Sequence, residues 1–343
     1  MKAIRLRTEY LDKPLGLGCA SPRLMWSCEG GVKQTAYQII AGDWDSGRVE
    51  SAEMRAKYPN KLKSRETVHW KIRLWDENGE AGDWSDSAFE MGLLDASDWH
   101  AKWISGEYKP MKNRRYPVDC FKREFAAKGK IAKARLYASA RGVYDVTING
   151  KRLESFILAP GITDYRKRIQ YQTYDVTELL SEKNTIELRL ADGWFRGSVA
   201  AYGVTNVFGT QTSVLAQLEL TRADGSVQTI VTDESWAWSN DGSIRFADLK
   251  DGEVYDAAMQ PSYKGAARVI AAPKKVILCA SDNVPVTEHE RFTPTLLPGN
   301  VLDFGQNIAG YLSFRVKGKK GQRIRIVCSE FYDERTQTVI RNA

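Results

Sequence analysis

Apolar side chains in this chain recur at every second residue, in short runs broken by turn signals, and no long run carries a helical period. That spacing constrains the fold more than any other feature, because it is the signature of a strand with one buried face. The fullest example runs from Ala138 to Gly197. Arg141–Ile148 alternates apolar and polar residues with a β-branched bias, and Asn149-Gly150 then supplies a two-residue hairpin turn. Asn184 opens another alternating run, Thr185–Leu190, and Gly193-Trp194-Phe195-Arg196-Gly197 closes the stretch with an aromatic pair held between glycines. The pattern predicts an antiparallel β-sandwich with aromatic groups on a loop where a sugar could stack. The longest helix-permissive runs, Ser51–Lys57 and Val176–Glu182, reach only about two turns each.

The same period divides the chain into three β segments. Residues 1–95 hold short strands at Pro22–Ser27, Gln34–Ala41, Thr67–Asp76 and Ala88–Met91. Val68, Trp70, Ile72 and Leu74 share one face of the third, and regular turns between strands point to a sandwich of immunoglobulin or fibronectin type III kind. The tryptophans of this segment read as core packing in preference to a ligand platform. Asp95–Trp103 is a tether in which Ser97 or Asp98 caps a single helical turn. Residues 103–273 form a second β domain that contains the opening stretch. Residues 275–343 begin a third, with Leu312–Val316 and Arg323–Val327 as a hairpin across Lys317–Gln322. So few strands make an incomplete β domain.

Composition removes several classes of function. The chain has 50 Lys and Arg against 43 Asp and Glu, interspersed nearly everywhere, so a mixed solvated surface outweighs a nucleic-acid face. Five cysteines at wide spacings contain no CxxC pair, which argues for free thiols in a reducing compartment. No apolar run has the length of a signal-peptide core or a membrane span. The expectation is a soluble cytoplasmic protein with neither nucleic acid nor membrane as partner.

Few residues announce chemistry. His69, His100 and His289 are far apart in sequence and support neither a metal cluster nor a catalytic triad. Gly16-Leu17-Gly18 lacks the following helix and third glycine of a dinucleotide site. Asp145 and Asn149 offer oxygens for Ca²⁺ or for a sugar, or else they satisfy their own hairpin turn. Asp164-Tyr165, after Pro160-Gly161, edges a pocket or builds a turn. Asp251-Gly252-Glu253 is a turn. Trp194 is either a core plug or a stacking face for the apolar side of a sugar.

A set of short motifs then runs in one order along nearly the whole chain. It includes Pro22–Trp26, Gln34–Tyr37, Trp44–Gly47, Arg73–Asp76, Ala134–Tyr137, Gly142–Tyr144, Ile148–Lys151, Leu158–Gly161, Tyr171–Thr177, Asp192–Trp194, Asp251–Asp256 and Asp303–Asn307. Through these the chain resembles the N-terminal, non-catalytic part of bacterial α-L-rhamnosidases of glycoside hydrolase family 78. The resemblance implies an all-β chain: a fibronectin III-like sandwich, a jelly-roll carbohydrate-binding-like module, and the start of another β domain. In some family members the jelly roll binds L-rhamnose with Ca²⁺. Asp145, Asn149, Asp164, Tyr165 and Trp194 are the candidates for the sugar here, with Asp145 and Asn149 also the candidates for the metal. Ile162 stands where the family often has Trp after Pro-Gly. No D-x-x-Q-R-D-E stretch or series of long helices is present, so the family's (α/α)₆ barrel, which carries the acid and base of the inverting mechanism, lies outside this chain. The reading is a piece of an α-L-rhamnosidase that recognises a rhamnose-containing glycan and partners a separate catalytic domain. The alternatives are a free-standing rhamnose-binding protein and a β-sandwich adaptor that binds no sugar.

Overall fold

The computed structural model describes residues 1–199, 203–319 and 321–340. It divides into two units, residues 1–287 and 288–343. Among the described residues the only α-helix is α1 (Gly193–Arg196). No helix among them is long and apolar enough to cross a membrane, and all five cysteines are unbridged.

The first domain of the larger unit has six main strands: β1 (Lys2–Thr8), β2 (Arg23–Glu29), β3 (Ala36–Ala41), β4 (Arg55–Lys57), β5 (Thr67–Trp75) and β6 (Ser85–Glu90). One sheet is ordered β1-β2-β4, and the other runs from Trp44–Asp45 through β3 and β5 to β6. Strand β5 shows why this sequence makes a sandwich. Val68, Trp70, Ile72 and Leu74 lie at 3% exposure or less, each removing apolar area worth about 1.5–3 kcal/mol for a Val, Leu or Ile side chain. Lys71, Arg73 and Trp75 point the other way. There Arg48, Trp75, Arg73, Trp84 and Lys71 alternate as cation and ring, 4.8–5.0 Å apart. Trp26 and Trp70 are buried within the core, as core packing requires.

The second domain is built from β7 (Asp119–Ala126), β8 (Ile131–Arg141), β9 (Val143–Ile148), β10 (Arg168–Asp175), β11 (Lys183–Ala191), β12 (Ser213–Arg222), β13 (Val227–Val231), β14 (Ala237–Ser239) and β15 (Ile277–Ala280). One sheet is ordered Lys151–Arg152, β9, β11, β7, β14, Gly265–Ala266. The facing sheet is ordered Arg268–Val269, Ile104–Ser105, β12, β8, β10, β15, with β13 paired to β12. Phe121, Leu136, Ala138, Val146, Ile148, Leu188, Leu218 and Trp236 form the core between them.

The central strands β8, β10 and β12 are buried on both faces. Their outer face is covered by the first domain. Leu93 packs with Tyr137 and Tyr171, and the Tyr171 hydroxyl accepts from Leu93 N at 2.7 Å and donates to Leu93 O at 3.0 Å. Two ion-pair clusters flank this contact. Arg135 binds Glu90 and Asp175, and Arg65 binds Glu219 and Asp98.

Three local expectations change. Ile277–Ala280, assigned to the third segment, pairs in parallel with β10 and belongs to the second domain's sheet. Ser51–Lys57 forms no helix and contains β4, while Val176–Glu182 yields only a 3₁₀ turn at Thr177–Leu179. In the smaller unit the ladders are Thr295–Leu297 with Val301–Asp303 and Phe331–Asp333 with Thr338–Ile340. The expected hairpin turns at Lys319–Gln322, but its flanking runs form no strands. Leu312, Phe314, Val316, Ile324 and Ile326 are exposed by 41–58%. Alternation specifies a face to bury, and among the described residues of this unit nothing covers that face.

Candidate functional site: the loop end of the second sandwich

Strand register gathers one set of loops. Arg141 pairs with Ser213, and Val143 with Ala191. The C-terminal ends of β8 and β11 and the N-terminal ends of β9 and β12 therefore lie together, joined at this end by the segments 192–199 and 203–212. Gly193, at φ +51°, lets α1 sit against β9: a Cβ there would lie 2.5 Å from Val143 Cγ2 and 2.7 Å from its backbone N.

A buried polar column fixes α1 from below. Arg196 and Asp192 are nearly inaccessible and pair through Arg196 Nε and Nη2 to Asp192 Oδ1 at 2.8 and 2.7 Å. Arg196 Nη1 donates to the Tyr108 hydroxyl at 2.9 Å, and that hydroxyl donates to Asp119 Oδ2 at 2.9 Å. Trp238 Nε1 donates to Asp119 Oδ1 at 2.9 Å. Arg196 also stacks over Tyr116 at 4.9 Å. Burial pushes Asp119 up to about 6, against the opposing pull of Trp238 and Arg196. Burial likewise raises Asp192. Burial works against the charge on Arg196, but Asp192 and Tyr108 outweigh it and hold the guanidinium protonated. Beyond α1, Ser198 N donates to Asp248 Oδ2 at 2.7 Å and Ser198 Oγ to Asp251 Oδ2 at 3.0 Å.

On this base sits an aromatic bed of Trp103, Tyr165, Ile169, Phe195 and Leu215, with Trp194 and Phe208 packed on it and partly exposed. Tyr165 is buried, 5.5 Å from Phe195 and 5.2 Å from Phe208 between ring centres. Its hydroxyl donates to Gly161 O at 2.9 Å, so it acts as a wall of the bed. Asp164 binds Arg166 Nε at 2.8 Å, and that side-chain bond, followed by the backbone N–H of Arg166, holds its carboxyl below the usual range. Arg166 in turn covers Phe208 at 5.4 Å. Ile162, where the family often has Trp, is 55% exposed.

The five candidate residues therefore separate. Asp164, Tyr165 and Trp194 lie at this loop end. Asp145 faces outward on β9, bound to Arg152 at 2.9 Å. Asn149 occupies the turn at the opposite end of that strand, about 13 Å from Asp145 at the usual strand rise. Its amide donates to Leu179 O and Asn184 Oδ1, both at 2.8 Å, and its oxygen accepts from Thr185 N at 2.9 Å. The hairpin uses this side chain fully. Ligand oxygens must approach Ca²⁺ to 2.3–2.6 Å, so Asp145 and Asn149 do not fit a shared calcium centre. Among the described residues no group of three or more His, Cys, Asp or Glu is placed to hold a metal.

Sequence reasoning did not single out Arg141, Asp119 or Arg196. The Asp192-x-x-x-Arg196 spacing, one helical turn, was the one available signal for the ion pair. Asp119 and Arg141 read as ordinary strand-end charges.

Comparison with known proteins matches this architecture segment by segment. Residues 3–95 match the Rha78A-like, N-terminal immunoglobulin domain, residues 129–290 the alpha-L-rhamnosidase N-terminal domain, and residues 298–342 the bacterial alpha-L-rhamnosidase concanavalin-like domain. An alpha-L-rhamnosidase of Alteromonas sp. (strain LOR) is 33% identical over 94% of this chain. The solved alpha-L-rhamnosidases of Aspergillus terreus and Dictyoglumus thermophilum each share 30% identity over 89% of the chain, with TM-scores of 0.79 and 0.76. The chain spans 39% of the length of each of these three proteins, and the family's catalytic domain is not within it. The chain belongs to the α-L-rhamnosidase family, whose N-terminal domains it comprises.

Proposed function

We propose that this chain is the glycan-recognition and scaffolding part of an enzyme that hydrolyses terminal α-L-rhamnosides, and that the loop end of its second sandwich binds the sugar. The observation that carries the reading is Trp194. Gly193 and the buried Asp192–Arg196 pair hold its indole on an aromatic bed while leaving it partly exposed. A rigid, half-exposed ring offers the apolar face of a sugar a surface that needs little ordering on binding. Asp164, bound to Arg166, edges the same surface, and Tyr165 supports it from below. The five unbridged cysteines favour a reducing compartment such as the cytoplasm.

One observation favours the adaptor reading instead. Asp145, Asn149 and Tyr165 all spend their polar groups on the protein itself. Tryptophan fluorescence during titration with L-rhamnose separates the two. Sugar binding requires a saturable change that Trp194→Phe alters and Asn149→Ala does not. A flat response at millimolar sugar, with and without Ca²⁺, leaves the adaptor.

A further inference from the structure

Among the described residues the buried guanidinium groups of Arg135 and Arg196 are paired, with Glu90 and Asp175 and with Asp192. The half-buried Arg141 has no such ion pair. It sits at the end of β8, at the same loop end as Trp194. Its Nε donates to Ser213 Oγ at 2.7 Å, and its centre lies 5.5 Å from the Trp103 ring and 5.7 Å from the Phe195 ring. Nη2 is buried with no hydrogen-bond partner. Desolvation alone pulls the group down to about 10, with no carboxylate nearby to oppose it.

Two ring faces near the limit of cation–π range compensate a desolvated cation only in part. A guanidinium N–H left buried without a partner costs stability, and such a group in a native structure calls for an explanation, of which an anion bound in the working protein is one. Trp194 adjoins Phe195 in sequence, and Arg141 lies over Phe195. Trp194 packs on the cluster that contains Trp103 and Phe195, the two rings beside Arg141, so both side chains belong to one loop-end surface.

We infer that Arg141 recognises an anionic substituent on the bound glycan, a carboxylate or a sulfate ester, so that the ligand is an acidic saccharide and not a neutral one. This rests on the sugar-binding reading above and deepens it. An oxygen anion supplies the charge-assisted partner that the protein withholds.

The full 343-residue chain is titrated at low ionic strength with D-glucuronate, D-glucose 6-sulfate, D-glucose, L-rhamnose and inorganic sulfate, by calorimetry and tryptophan fluorescence. At least one acidic sugar is expected to bind roughly tenfold tighter than D-glucose, with the advantage shrinking as salt rises. The stronger of the two acidic sugars names the substituent. Arg141→Gln is expected to abolish that preference and to melt no lower than the parent without ligand. A merely structural arginine would instead lower the melting temperature. Equal affinity for acidic and neutral sugars overturns the inference, and this is read on the parent chain even if Arg141→Gln fails to fold. Inorganic sulfate binding as tightly as the acidic sugars also overturns it. L-rhamnose binding without acidic preference sinks this inference and spares the sugar-binding reading, whereas no response to any sugar sinks both.

Discussion

Arg135 grips Glu90 with two parallel bonds, Nε to Oε1 and Nη2 to Oε2, each 2.9 Å. The pair joins the second sandwich to the first, and Glu90 is almost completely buried. Removing Glu90 leaves the buried Arg135 with only the half-exposed Asp175 as ion-pair partner, so part of the penalty of a stranded buried charge is incurred. Glu90→Gln should therefore lower the stability of residues 1–287 by about 2–3 kcal/mol in denaturant melts. Breaking the exposed Lys122–Glu124 pair should cost less than about 1 kcal/mol. Equal effects at the two sites would show that the interdomain contact is not held this way.

Asp119 predicts a pH dependence of definite sign. Burial lifts its carboxyl from 3.8 to about 6, so the folded chain holds this proton more tightly than the unfolded one. Its contribution is fully present below about pH 4 and is lost as pH rises through about 6, a change on the order of 3 kcal/mol. In Asp119→Asn this component disappears. The parent-minus-variant stability difference should therefore decline between pH 4 and pH 6.5, whatever constant offset the altered bonds to Trp238 and Tyr108 add. A difference that is flat with pH would mean that Asp119 does not titrate there.

The smaller unit should be the protease-sensitive one. Leu302, Phe314, Val316 and Ile324 are each at least half exposed, and β15 ties residues up to Ala280 into the second domain. Limited proteolysis should leave a fragment ending near Thr287. Early cuts within 275–287 would contradict that boundary.

Purified chain should not turn over aryl α-L-rhamnosides, because the inverting reaction needs two carboxyl groups facing across a bound sugar. Turnover abolished by changing one carboxylate of this chain would refute that expectation.

What the sequence revealed follows from what a local pattern encodes. Strand β5 was legible because its two faces meet different environments, and Asn149-Gly150 because both residues take left-handed backbone, φ +51° and +80°. Strands β8, β10 and β12 are covered on both faces, so their alternation is weaker than their burial. The partner of Arg135 lies 45 residues away, and no spacing rule reaches that far. The runs 312–316 and 323–327 show the reverse case, a face encoded locally that stays 41–58% exposed at Leu312, Phe314, Val316, Ile324 and Ile326. At the candidate site, Asp164, Tyr165 and Trp194 were visible from glycine, proline and aromatic signals. Arg141 was not, because an unpaired arginine differs from a solvated one only in what surrounds it.

The central claim, that the loop end of the second sandwich binds sugar through Trp194, is tested most directly by calorimetric titration of the chain and of Trp194→Ala with L-rhamnose, with and without Ca²⁺. The account predicts saturable binding in the parent, on the order of micromolar to millimolar because a monosaccharide buries little surface. It predicts at least a tenfold loss in Trp194→Ala, with the variant still folded. No heat in the parent, or the same affinity in both proteins, would contradict it.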